Sequence, residues 1–194
     1  ELTEDERPAV IDKNNINGPS FLSSDVSVLK KSDTIAALSV RPIDGREEEY
    51  REKNLIAAIK YAHAAIKSAP DDTDDADQGI PILFSYNPGG GHFIEATLTI
   101  KKDIKSSKLE LINSMGTAHD DEPEKKHIAK ILKKAIQETT DEDTQVDDLF
   151  TEDNFNYTNK GIQQDSYSCG PLSLNEIEIK LNKIFTDLVC MIQS

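Results

Sequence analysis

The chain has 194 residues, a mass of 21.5 kDa, 37% hydrophobic residues and a formal net charge of -14. That length suffices for one domain with a real core, and no apolar run is long enough to form a transmembrane helix. The charge argues against nucleic acid and anionic membrane as partners, because both need a positive surface, and leaves a basic partner or simple solubility.

The first residues, Glu1-Leu-Thr-Glu-Asp-Glu-Arg7, contain neither a basic n-region nor an apolar h-region, so no secretory signal is expected there. The abrupt start suggests an excised piece. Residues 1–20 are polar, include Asn14-Asn-Ile-Asn-Gly-Pro19, and read as an N-terminal arm. A single domain is expected over residues 21–194. Phe21, Leu22, Val26 and Leu29 are spaced for a short helix within Ser20–Ser32. Asp44-Gly-Arg-Glu47 resembles a capping box that opens a long helix to about Ser68. The apolar face of that helix would be Leu55, Ile56, Ile59, Ala62, His63 and Ile66, so His63 reads as a packed histidine. Pro70 and the acidic run Asp71–Asp77 end the element.

Strands follow. Ile80–Tyr86 is apolar and β-rich, and Asn87-Pro-Gly-Gly-Gly91 is a turn. His92–Ile100 alternates with period two, Lys101–Lys108 is a polar hairpin loop, and Leu109–Asn113 is a third strand. A helix is predicted from about Glu122 to Glu138, then a second acidic loop to Asp148, then a short strand over Asn154–Thr158. A last helix begins near Cys169, with Leu172, Leu174, Ile177, Ile179, Leu181 and Ile184 in its apolar run. The predicted class is α+β with a mostly antiparallel central sheet flanked by helices.

Two cysteines, Cys169 and Cys190, make a poor disulfide framework and fit a reducing compartment. His63, His92, His119 and His127 are scattered, and no Cys/His spacing resembles a metal site. Cys169 stands where a helix should begin, and a helix N-terminus favours the thiolate. A nucleophilic cysteine needs a base from elsewhere in the chain. His92, placed after a glycine turn at a strand start, is the best candidate. Asn113, at the end of the next strand and on the same face as Leu109 and Leu111, can orient the imidazole. Gln163, six residues before Cys169, can offer an amide to an oxyanion beside the Cys169 N–H. Each residue alone has a plainer reading: a small buried thiol for Cys169, a structural histidine for His92.

Three stretches resemble the Ulp-type ubiquitin-like-protein proteases of the CE clan. They are Gly91-His92-Phe93-Ile-Glu-Ala-Thr-Leu98, Leu111-Ile-Asn113-Ser-Met115, and Gln163-Gln-Asp-Ser-Tyr-Ser-Cys169-Gly-Pro171. The resemblance spans about residues 80–182 and looks most like the bacterial effector deubiquitinases, including those of Rickettsiales. It implies a papain-like or adenain-like CE-clan fold with Cys169 as nucleophile, His92 as general base and Gln163 in the oxyanion hole. Phe93 stands where the family has Trp and would cover a Gly-Gly tail; Gly91, Tyr167 and Gly170 would line the same channel. Asn113 takes the family's Asp position, where its carbonyl oxygen would accept the imidazole Nδ1–H.

The resemblance implies no metal or other cofactor, a monomer, and ubiquitin as the partner. For a bacterial effector the compartment would be the host-cell cytosol. Ubiquitin's tail and surrounding face are rich in arginine, which suits the acidic charge. NEDD8 or SUMO with the same chemistry, a YopJ-like acetyltransferase, and a non-catalytic ubiquitin-binding module are the alternatives.

Overall fold

The computed structural model describes residues 9–11, 26–31, 34–43, 48–69, 79–87, 92–115, 122–138, 149–165 and 167–192. Seven strands form one sheet in chain order: β1 (Ala9–Ile11), β2 (Val26–Lys31), β3 (Thr34–Ile43), β4 (Ile80–Tyr86), β5 (Ile94–Ile100), β6 (Lys108–Asn113) and β7 (Phe155–Asn159). Three helices accompany it: α1 (Glu48–Ser68), α2 (Glu122–Gln137) and α3 (Cys169–Ile192).

The α+β class stands, but the sheet is mixed, not mostly antiparallel. The β2–β3, β4–β5 and β5–β6 pairs are antiparallel, whereas β1–β2, β3–β4 and β6–β7 are parallel. The parallel β3–β4 and β6–β7 pairs follow from the helices between them, since a parallel pair needs a long crossover and a hairpin cannot supply it. The helix expected within Ser20–Ser32 is instead strand β2, where Val26 and Val28 face one side and Leu29 the other. Strand β3 was not foreseen. Its run Ile35-Ala-Ala-Leu-Ser-Val40 lies between β2 and β4 and is covered on both faces. Part of the expected N-terminal arm, Ala9–Ile11, joins the sheet as an outer strand. The Asp44–Glu47 capping box, the glycine turn 88–91 and most of both acidic runs lie outside the described residues.

Among the described residues the two faces of the sheet carry apolar clusters of unequal size. On one, Ile82 and Phe84 of β4, Ala96 and Leu98 of β5, and Leu109 and Leu111 of β6 pack under α1 and α2. The helices contribute Leu55, Ile59 and Ala62 from α1, and Ile128, Leu132 and Ala135 from α2. On the other face, among the described residues, Leu29, Ala37 and Leu83 meet Ile177 and Leu181 of α3, with Ala36, Leu174 and Ile184 at the margin. Strand alternation sorts these residues, because successive side chains point to opposite faces. Among the described residues no helix is long and apolar enough to cross a membrane.

Candidate active site

Strand register gathers the candidate residues at one end of the sheet. Tyr86, the last residue of β4, pairs with Ile94, the first of β5. Glu95 pairs with Ile112, so the end of β6 at Asn113 lies beside the start of β5. Strand β7 runs parallel to β6 and sets Asn159 next to Asn113. The chain then continues along β6: Lys160 N–H donates to the Asn113 carbonyl at 2.8 Å and Gln163 N–H to the Ser114 carbonyl at 3.0 Å. His92, Asn113 and Gln163 are thereby carried to the same strand ends.

His92 and Asn113 are hydrogen-bonded, Nε2 to Oδ1, at 2.7 Å. The imidazole atom that meets Asn113 is Nε2, not the Nδ1 expected from sequence. The proton positions follow from the neighbours. Met115 N–H donates to the same Oδ1 at 2.9 Å, and a backbone N–H can only donate, so the atom it meets must be the oxygen. Asn113 Nδ2 donates to the Tyr157 hydroxyl at 3.1 Å. With Oδ1 fixed as acceptor, His92 must present Nε2–H, which leaves Nδ1 as the basic nitrogen. Asn113 is 1% exposed, so this orientation is held away from competing water.

The segment before α3 is organised by Asp165. Its Oδ1 accepts the N–H groups of Tyr167 at 3.0 Å and Ser168 at 2.7 Å, and its Oδ2 accepts the Ser168 hydroxyl at 2.5 Å. The Ser168 hydroxyl and these two N–H groups hold the Asp165 carboxyl below the usual carboxylate range. Gln163 is held at both ends of its amide. Ser114 Oγ donates to Oε1 at 2.7 Å, and Nε2 donates to the Asp165 carbonyl at 2.7 Å. One N–H of the amide remains among the described residues. Helix α3 opens with Leu172 N–H donating to the Ser168 carbonyl at 3.0 Å, which makes Ser168 the cap and Cys169 the first helical residue. Cys169 is 4% exposed.

Two polar contacts seat α3 on the sheet. One turn beyond Cys169, the Ser173 and Ser85 hydroxyls are hydrogen-bonded, joining α3 to β4. Further along, Lys180 Nζ donates to Glu95 Oε1 at 3.2 Å and Oε2 at 3.1 Å, to Thr97 Oγ1 at 2.8 Å, and to the Glu110 carboxylate. Glu95 is fully buried, and burial raises its carboxyl above the ordinary value despite the opposing Lys180 charge and the hydrogen bonds from Thr97 and Lys180. Phe93, at the start of β5, lies against the first turn of α3: a Cβ added at Gly170 would meet its Cδ2 at 3.7 Å.

The structure thus joins His92 to Asn113, and Gln163 to the residue after Asn113. It places Cys169 at the α3 terminus and Phe93 against Gly170 at the same strand ends. Tyr167 stands out at 79% exposure. Gly91 lies outside the described residues. His127 instead packs on Tyr86, with ring centroids 5.8 Å apart, and His63 is buried in α1. His119 lies outside the described residues. Sequence reasoning missed Tyr157, Ser114, Met115, Asp165 and Ser173. For Tyr157 a signal existed, because it alternates with Phe155 toward the face of Leu111 and Asn113, but only the parallel β6–β7 register reveals it. Among the described residues no group of three or more His, Cys, Asp or Glu converges as a metal site. Comparison with protein families, with curated proteins and with solved structures finds no match.

Proposed function

We propose that the chain is a cysteine peptidase that hydrolyses the bond after the C-terminal Gly-Gly of ubiquitin, within a papain-like arrangement of the CE-clan kind. The observation that carries the reading is the His92–Asn113 hydrogen bond, oriented by Met115 N–H, at the strand ends where α3 begins with Cys169.

The chemistry runs through that orientation. His92 Nδ1 takes the Cys169 thiol proton, and the thiolate adds to the carbonyl carbon of the terminal glycine. The oxyanion of the tetrahedral intermediate accepts from the Gln163 amide and the Cys169 N–H. Collapse breaks the C–N bond, and the leaving lysine amine takes the proton from Nδ1. Water then adds to the thioester, giving its proton to Nδ1, and the glycine carboxylate leaves as the thiol reforms. Asn113 keeps Nε2 protonated throughout but brings no charge to the imidazolium.

Ubiquitin is favoured by the -14 charge, which suits its arginine-rich tail and disfavours the acidic SUMO. A YopJ-like transferase would handle polyanionic coenzyme A, which the same charge opposes. We place the protein in a reducing compartment, host-cell cytosol for a bacterial effector, because two cysteines make a poor disulfide framework. We take the protein to act as a monomer.

A second reading, a non-catalytic ubiquitin-binding relative, draws on one observation: the thiol is 4% exposed. Ubiquitin, NEDD8 and SUMO probes carrying a C-terminal electrophile separate the readings. Labelling of Cys169 by the ubiquitin probe is expected, with less by NEDD8 and none by SUMO. No labelling by any probe, with the fold intact, would rule out the peptidase.

A further inference from the structure

We infer that Asp165 is a positioning residue for Gln163, tying the oxyanion donor to the start of the nucleophile's helix. The inference rests on the reading of Cys169 as an acyl-accepting nucleophile and adds a residue to that reading.

Asp165 works with both its main chain and its side chain. Its carbonyl takes one Gln163 Nε2–H, while its carboxylate takes the Tyr167 and Ser168 N–H groups and the Ser168 hydroxyl. The peptide that holds the amide is therefore fixed to the cap residue of α3. Ser114 holds the other end of the amide, through Oε1. A primary amide is planar and has two N–H groups. With Oε1 and one N–H engaged, the remaining N–H has a set direction relative to Cys169. Gln163 itself is only half-buried. Without the Asp165 turn its amide would be free to rotate toward water, and an oxyanion donor that must reorganise during the reaction loses much of its value.

The carboxylate suits this task better than other acceptors. Two oxygens serve three donors, and the group stays charged because those donors favour the ionised form. Asparagine at this position keeps one oxygen for the two N–H groups. Alanine keeps only the carbonyl and loses the turn that aims it. Asp165 is exposed, so replacing it leaves no cavity in the core.

Steady-state hydrolysis of ubiquitin bearing a C-terminal fluorogenic amide tests the inference, alongside alkylation of Cys169 by iodoacetamide. Alkylation is displacement at a saturated carbon and forms no oxyanion. Asp165→Ala should lower kcat about tenfold with KM changed less than about twofold. Alkylation should not slow. Asp165→Asn should recover most of the loss. The double variant Asp165→Ala/Gln163→Ala should be no slower than Gln163→Ala alone, because the two act on one donor. A wild-type kcat in Asp165→Ala, a parallel fall in alkylation, or multiplicative losses in the double variant would each overturn the inference while leaving the peptidase standing. A wild-type protein with no turnover overturns the peptidase reading, and the inference falls with it.

Discussion

Asn113 makes three hydrogen bonds through one side chain, accepting from Met115 N–H and His92 Nε2 and donating to the Tyr157 hydroxyl. A carboxylate at this position would keep Met115 N–H and His92 Nε2–H as donors. It would add a charge that stabilises the imidazolium formed when His92 takes the thiol proton. Asn113→Asp should therefore keep kcat for ubiquitin hydrolysis or raise it by up to roughly tenfold; loss of activity would mean that Asn113 does not orient the base. The catalytic candidates were legible in the sequence because each has a distinctive chemistry and stands beside a recognisable strand end or helix start. Their supports were not. Whether the oxygen or the nitrogen of the Asn113 amide faces His92 depends on how the turn to Met115 folds back, and no residue pattern encodes that. Asp165 looks like any polar loop residue until its carboxylate is seen to take two N–H groups.

Helix α3 is the element on which the candidate nucleophile depends. Leu83, Ile177 and Leu181 pack beneath it, and the Lys180 cluster with Glu95 and Glu110 adds a polar tie to the sheet. Burial raises the Glu95 carboxyl above the ordinary 4.5, so between the unfolded and folded values the folded chain holds a proton there that the unfolded chain releases. The stability linked to this group is then greatest below the unfolded value and declines as pH rises through the folded one. Glu95→Gln keeps an acceptor for Lys180 and Thr97 but removes the titration. Urea midpoints measured in pH steps upward from 4 should decline in the wild type and flatten in Glu95→Gln; equal slopes would show that the buried charge is not the source. The strand elements teach a complementary point about legibility. Strands β4, β5 and β6 could be read because a turn or polar loop separates each from the next. Strand β3 could not, because a central strand buried on both faces loses its alternation. In β2, Val26 and Leu29 satisfy a helical spacing as well as Val26 and Val28 satisfy a strand one.

At the scale of the molecule, one sheet divides two tasks. The larger core under α1 and α2 fixes the strands, and their ends present His92 and Asn113. On the other face, α3 begins with Cys169, and Phe93 at the start of β5 lies against Gly170 in its first turn. That division is how residues far apart in the chain would come to share the proposed site. The class could be read from the sequence; the mixed strand directions could not, since they depend on whether each helix crosses over the sheet. The acidic net charge of -14 would draw a basic partner toward the molecule as a whole, an effect that salt would weaken. The most direct test of the account is turnover of ubiquitin carrying a C-terminal fluorogenic amide by the wild type, Cys169→Ala and His92→Ala. The account predicts hydrolysis by the wild type and a loss of at least about 1,000-fold in each variant. Undiminished hydrolysis by Cys169→Ala would contradict it.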